Sequence, residues 1–171
     1  MQFDLKQAVA ILAQTPQTLR PMLGELPEAW THGGSADNWS PYDVVGHLIH
    51  GELTDWIPRA RIILAQGEDP TFTPFDRLAQ FEDSGSLAER LDTFARLRSE
   101  NLQALDSMNL TPEKLALKGM HPELGEVDLA QLLSTWVVHD LNHLRQIVKF
   151  MADKYSGNVG PWKQYLLILQ Q

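Results

Sequence analysis

Apolar positions along this chain recur mostly at three- and four-residue spacing, the mark of helices that bury one face. Leu5, Val9, Leu12 and Leu19 predict a first helix from about Asp4 to Leu23, with Pro16 and Pro21 expected to bend or break it. A loop is expected from Pro27 to Trp39, signalled by Gly33-Gly34 and Asp37-Asn38. Ser40, Pro41 and Asp43 then read as the N-cap, first position and acidic third position of a second helix. That helix carries Val44, Val45, Leu48, Ile49, Leu53, Trp56 and Ile57, and Pro58 is expected to kink or end it. A continuation over Arg59 to Gln66 would stop at Gly67.

Residues 67 to 82 read as a loop whose Phe72, Phe75 and Phe81 should pack down onto the body. A third helix begins at Ser84 or Ser86, with Leu87, Leu91, Phe94, Leu97, Leu102 and Leu105 on its apolar face. Thr111-Pro112-Glu113 marks a short helical start, and Lys118 to Glu126 a turn-rich connector. The clearest helix runs from about Asp128 to Ala152 without proline or glycine, its acidic start suiting the helix dipole. Pro161 to Gln170 predicts a short closing helix carrying Trp162, Tyr165, Leu166 and Leu169. Few segments alternate strictly enough for strands, and neither repeats nor linkers stand out. The chain therefore reads as all-α, a single four-helix bundle domain over residues 1–171. Up-down-up-down and a variant with a crossover both fit the loop lengths.

Composition narrows the chemistry. The chain has no cysteine, which removes disulfides, thiolate metal sites and cysteine nucleophiles. Twenty-two acidic residues against 14 Lys and Arg give a formal charge of -8, which opposes an extended nucleic-acid surface. No apolar run is long enough for a membrane span, and the N-terminus does not read as a signal peptide, so a cytoplasmic location is expected.

The six histidines carry the candidate chemistry. His139 and His143, four residues apart, share one helix face, and that face is the apolar stripe of Leu132, Trp136, Ile147 and Phe150. Inward-facing imidazoles require partners or a purpose. His47 on the second helix is the candidate third ligand, and Gly51, one turn on, is expected to leave space beside it. Three histidines with an open fourth position form the catalytic zinc pattern, with nickel, iron and manganese equally compatible. The plain alternative is a pair of core histidines held by Asp140, Asn142 or backbone. Asp55 and His50 are candidate acid–base groups, with Glu52 a weaker one, and Trp136 is a candidate pocket wall. Arg145, Arg59 and Arg61 are candidate partners for a cofactor carboxylate. His32 reads as a cleft-mouth or surface residue and His121 as part of a packed turn. Trp39, Trp56 and Trp162 read as packing residues.

The strings WSPYDVVGHLIHGE and HPELGEVDLAQLLSTWVVHDLNHLRQI resemble the two histidine motifs of the DinB-like superfamily, in order and separation. The resemblance covers nearly the whole chain. It implies a four-helix bundle of up-down-down-up course, with a long crossover between the second and third helices. It also implies a divalent metal on His47, His139 and His143, and homodimers are common among members. Some members transfer low-molecular-weight thiols, so the expected function is metal-dependent transfer of such a thiol to an electrophilic small molecule. Metal-dependent hydrolysis of a small molecule and non-catalytic metal or small-ligand binding are the alternatives.

Overall fold

Helix α1 spans Leu5–Leu23, and the Asp4 carboxylate caps it by accepting the Gln7 N–H. In the computed structural model, which describes residues 3–35, 37–81 and 85–170, α1 passes through Pro16 and Pro21 without a break. At Pro16 the reason is tertiary. A proline leaves the carbonyl four residues earlier without its helical donor. That carbonyl, on Leu12, instead accepts Arg98 Nη1 at 2.7 Å.

The expected loop after α1 contains one short helix, α2, Glu28–Thr31, a single turn too brief for periodicity to register. Helix α3 spans Pro41–Thr54 behind the Ser40–Asp43 capping box, and α4 spans Trp56–Ala65. The interruption falls at Asp55, three residues ahead of Pro58. The proline ring crowds the carbonyl of Thr54 and cannot donate to it, so the helix gives way one turn before the proline. Helix α5, Leu87–Ser107, starts from the Ser86–Glu89 capping box, while Ser84 lies outside the described residues. Thr111 caps the short α6, Pro112–Leu115.

The connector expected over 118–126 is a hairpin. Strands β1, Lys118–His121, and β2, Gly125–Asp128, pair antiparallel with Lys118 opposite Asp128. Four-residue strands are too short for alternation to show, and turn residues mark a hairpin as readily as a loop. Helix α7 follows over Leu129–Asp153, with Asp128 and Gln131 forming its capping box. The expected closing helix is two 3-10 turns, Gly160–Tyr165 and Leu167–Leu169, on which Trp162 and Tyr165 are exposed rather than packed. So short a segment gains little from helix formation without a face to bury.

Cross-helix pairs give the directions. Tyr42 meets Arg90 near the start of α3 and α5, and Glu52 meets Arg98 and Asn101 farther along both, so these helices are parallel. Arg20–Asp92 and Leu12–Arg98 make α1 antiparallel to α5, while His47–His139 and Glu52–Trp136 make α3 antiparallel to α7. The course is up-down-down-up, and the parallel pair requires the long crossover between α4 and α5.

That crossover is pinned to the hairpin: Phe72 N–H donates to the Met120 carbonyl at 2.9 Å, and Met120 N–H to Pro70 at 3.0 Å. Phe72 is buried as expected, Phe75 half-buried, and Phe81 exposed. Among the described residues no helix is long and apolar enough to cross a membrane.

Two apolar cores form. One gathers Leu12, Trp56, Phe72, Leu105, Leu132 and Trp136; the other gathers Leu19, Leu48, Phe94 and Ile147. Each long helix also places buried polar residues between them: Thr15, Glu52, Arg98, and Asp140 with His143.

Candidate metal centre

His47 stands two turns into α3, and His139 and His143 stand one turn apart on α7. The antiparallel packing of these helices brings the three rings together. His139 Nε2 lies 3.0 Å from His47 Nε2 and 3.1 Å from His143 Nε2. One ligand atom from each lies within 4.8 Å of the others. Burial, reinforced by the neighbouring imidazoles, pushes His47 down to about 3 and His139 to about 2. Burial also lowers His143, although Gln146 and Asp140 pull it back up. At neutral pH the rings are uncharged and keep lone pairs for a ligand.

His143 Nδ1 lies 2.9 Å from the Gln146 side-chain oxygen. That oxygen only accepts, so Nδ1 carries the proton and Nε2 is free to face the cluster. The Nδ1 atoms of His47 and His139 are buried without a hydrogen-bond partner among the described residues. Three neutral imidazoles at this separation fit a first-row divalent ion, and all three line one cavity.

The cavity has a volume of about 340 Å³ and is lined by the three histidines together with residues of α4, the crossover and the hairpin. Trp39, Trp56, Phe72 and Phe75 form flat apolar walls. Trp39 lies 5.0 Å from His47 and Trp56 5.1 Å from His139, centroid to centroid. Asp55 lies at the α3–α4 interruption and pairs with Arg59 at 2.7 Å. Burial raises the Asp55 carboxyl to about 6, with Arg59 acting in the opposite sense. Arg59 in turn sits 5.3 Å over the Phe72 ring.

The sequence profile of the DinB superfamily matches residues 11–147, a span that holds all three histidines and Asp55. The chain belongs to the DinB superfamily. Among solved structures it is similar to YfiT from Bacillus subtilis, described as "a probable metal-dependent hydrolase with an unusual four-helix bundle topology". The two share 19% identity over 87% of this chain and 86% of YfiT, with a TM-score of 0.75, a likeness of fold. No curated protein is significantly similar to the chain.

Within this DinB fold the residues expected from sequence separate into two groups. His47, His139, His143, Asp55 and Arg59 meet at the cavity. His50, Trp136 and Arg145 are not among its lining residues. His50 lies one residue short of a turn beyond His47 and packs 4.7 Å from Phe75. Trp136 is fully buried and donates to Glu52 Oε1 at 3.1 Å, stacking on Trp56, which is the wall instead. Arg145 and Arg61 are exposed. The space expected beside Gly51 is taken by the Trp56 indole, 3.3 Å from where a side-chain carbon would stand. His121 accepts the Glu123 and Leu124 N–H groups, the packed turn expected, and also lines the cavity. His32 stacks on Tyr42, away from the cavity.

Sequence reasoning missed the partners of Asp140. It does not hold a histidine ring but binds Arg98 at 2.6 Å, and Arg98 binds Glu52 at 2.8 Å. The signal was present: Arg98 stands four residues after Phe94 and seven after Leu91, on the apolar side of its helix.

Proposed function

We propose that this DinB protein is a metal-dependent hydrolase of a small molecule with an apolar body. One observation carries the reading: three uncharged imidazoles and a carboxyl held at about 6 meet in one cavity. His47, His139 and His143 would hold a divalent ion, which would supply Lewis acidity toward water and a substrate carbonyl. Asp55 exchanges its proton near neutral pH, so it takes a proton from the attacking water and returns one to the leaving group. Arg59 orients that carboxylate. The four aromatic walls exclude water and favour a flat, ring-sized group, and the volume suits a compact ligand. YfiT's description as a metal-dependent hydrolase supports the same reading. Thiol transfer would use the same imidazoles, but nothing along the cavity singles out a thiol.

The test is to load the purified protein with zinc, nickel, iron or manganese and follow ester, amide and lactone substrates by mass spectrometry. Metal-dependent hydrolysis is expected, lost in His143→Ala and reduced by roughly 100-fold in Asp55→Asn. Thiol adducts from the same electrophiles, without hydrolysis, would replace the reading with transfer. Absence of bound metal would remove both.

A further inference from the structure

The polar layer between the two apolar cores is not electrically balanced. Glu52 Oε1 accepts Arg98 Nε at 3.1 Å, Arg98 Nη2 at 2.8 Å and Trp136 Nε1 at 3.1 Å, and Glu52 Oε2 accepts Asn101 Nδ2 at 2.9 Å. Asp140 accepts Arg98 Nη1 at 2.6 Å, Arg98 Nη2 at 3.0 Å and the Thr15 hydroxyl at 2.5 Å. All of these partners approach as donors, the set that a carboxylate accepts. Burial raises Glu52, and Arg98 and Asn101 act in the opposite sense. Two carboxylates share one guanidinium, a net charge of -1 on side chains no more than 1% exposed. Such a charge is costly to bury unless something compensates it.

The uncompensated layer is continuous with the histidine cluster. Asp140 stands between His139 and His143 on α7, and Glu52 is five residues past His47 on α3. Arg98 bridges the two ligand-bearing helices from α5, and its bond to Leu12 and the Thr15–Asp140 bond bring in α1. A divalent ion on the three imidazoles would bring positive charge beside the layer that lacks it.

We propose that Glu52, Arg98 and Asp140 form the positioning and charge-balancing element of the metal centre. They set the separation of the helices that carry the ligands, and their net negative charge holds a divalent cation at His47, His139 and His143. This rests on the metal reading above. A brace alone would be served as well by a neutral set, and it predicts a different response to loss of one charge.

The experiment measures zinc affinity by competition with a chromophoric chelator, and metal-free stability by urea unfolding, in wild type and Glu52→Gln. The expected result is a loss of zinc affinity of about tenfold or more, with the metal-free form no less stable than wild type. Asp140→Asn, which removes charge from the other end, is read the same way if Glu52→Gln does not fold. Unchanged affinity would overturn the inference. So would affinity and metal-free stability falling together, or failure of both variants to fold, since these are the outcomes of a brace. A wild type that binds no divalent ion would instead overturn the metal reading itself.

Discussion

Burial decides what the three imidazoles are at neutral pH. In the metal-free protein the folded pKa values of His47 and His139, about 3 and about 2, lie below the ordinary 6.5, and His143 is lowered too. As pH falls, the unfolded chain takes up these protons first. Stability is therefore whole above 6.5 and lost below it, by up to about 1.4 kcal/mol per pH unit for each histidine. Asp55 and Glu52, both raised by burial, work the other way, their cost easing as they protonate. Three histidines outweigh two carboxyls, so metal-free protein should be less stable at about pH 5 than at about pH 7 in urea titrations, with a shallower slope in His139→Ala. A flat profile would mean that the cluster is not buried and neutral. At this scale the His139–His143 pair was legible, because i, i+4 spacing on an apolar stripe survives any packing, while His47 stood as a candidate third ligand that the family resemblance implied. The fates of Trp136 and Glu52 were not: rotation by a fraction of a turn separates the cavity wall from the polar layer behind it.

Local chemistry settles where the long helices start. Asp4, Ser40, Ser86 and Asp128 each accept a backbone N–H from the first turn. Those starts were readable because a cap interacts within three residues. The hairpin was not, since its stability lies in what it covers. Gly119 in β1 is pressed so closely on α4 and the crossover that an added carbon would stand 2.7 Å from Phe72 and 2.8 Å from Ile63. Gly119→Ala should cost about 1–3 kcal/mol in denaturant titrations by pushing Phe72 from the cavity wall. It should raise KM more than it lowers kcat and leave metal stoichiometry unchanged. A variant as stable as wild type would show that the hairpin seats more loosely than this.

Across the whole molecule, one buried arginine touches every long helix of the bundle. Arg98, on α5, reaches Leu12 of α1, Glu52 of α3 and Asp140 of α7. Arg98→Met keeps much of the volume but strands two carboxylates, and should destabilise the protein by about 3–5 kcal/mol in urea unfolding. A loss under about 1 kcal/mol would mean that water or protonation relieves the carboxylates. The same residue explains why α1 runs unbroken through Pro16, a repair from 82 residues away that no local reading of α1 reveals. Periodicity and capping are short-range, so the sequence by itself determined the four long helices, their starts and the helix face that carries His139 and His143. The hairpin roof, the Asp55–Arg59 cavity and the charged layer were decided only by tertiary structure, as was helix direction, which periodicity left open and the family resemblance implied. Each depends on contacts between residues far apart in the chain, formed because buried polar groups must find partners wherever the fold brings them.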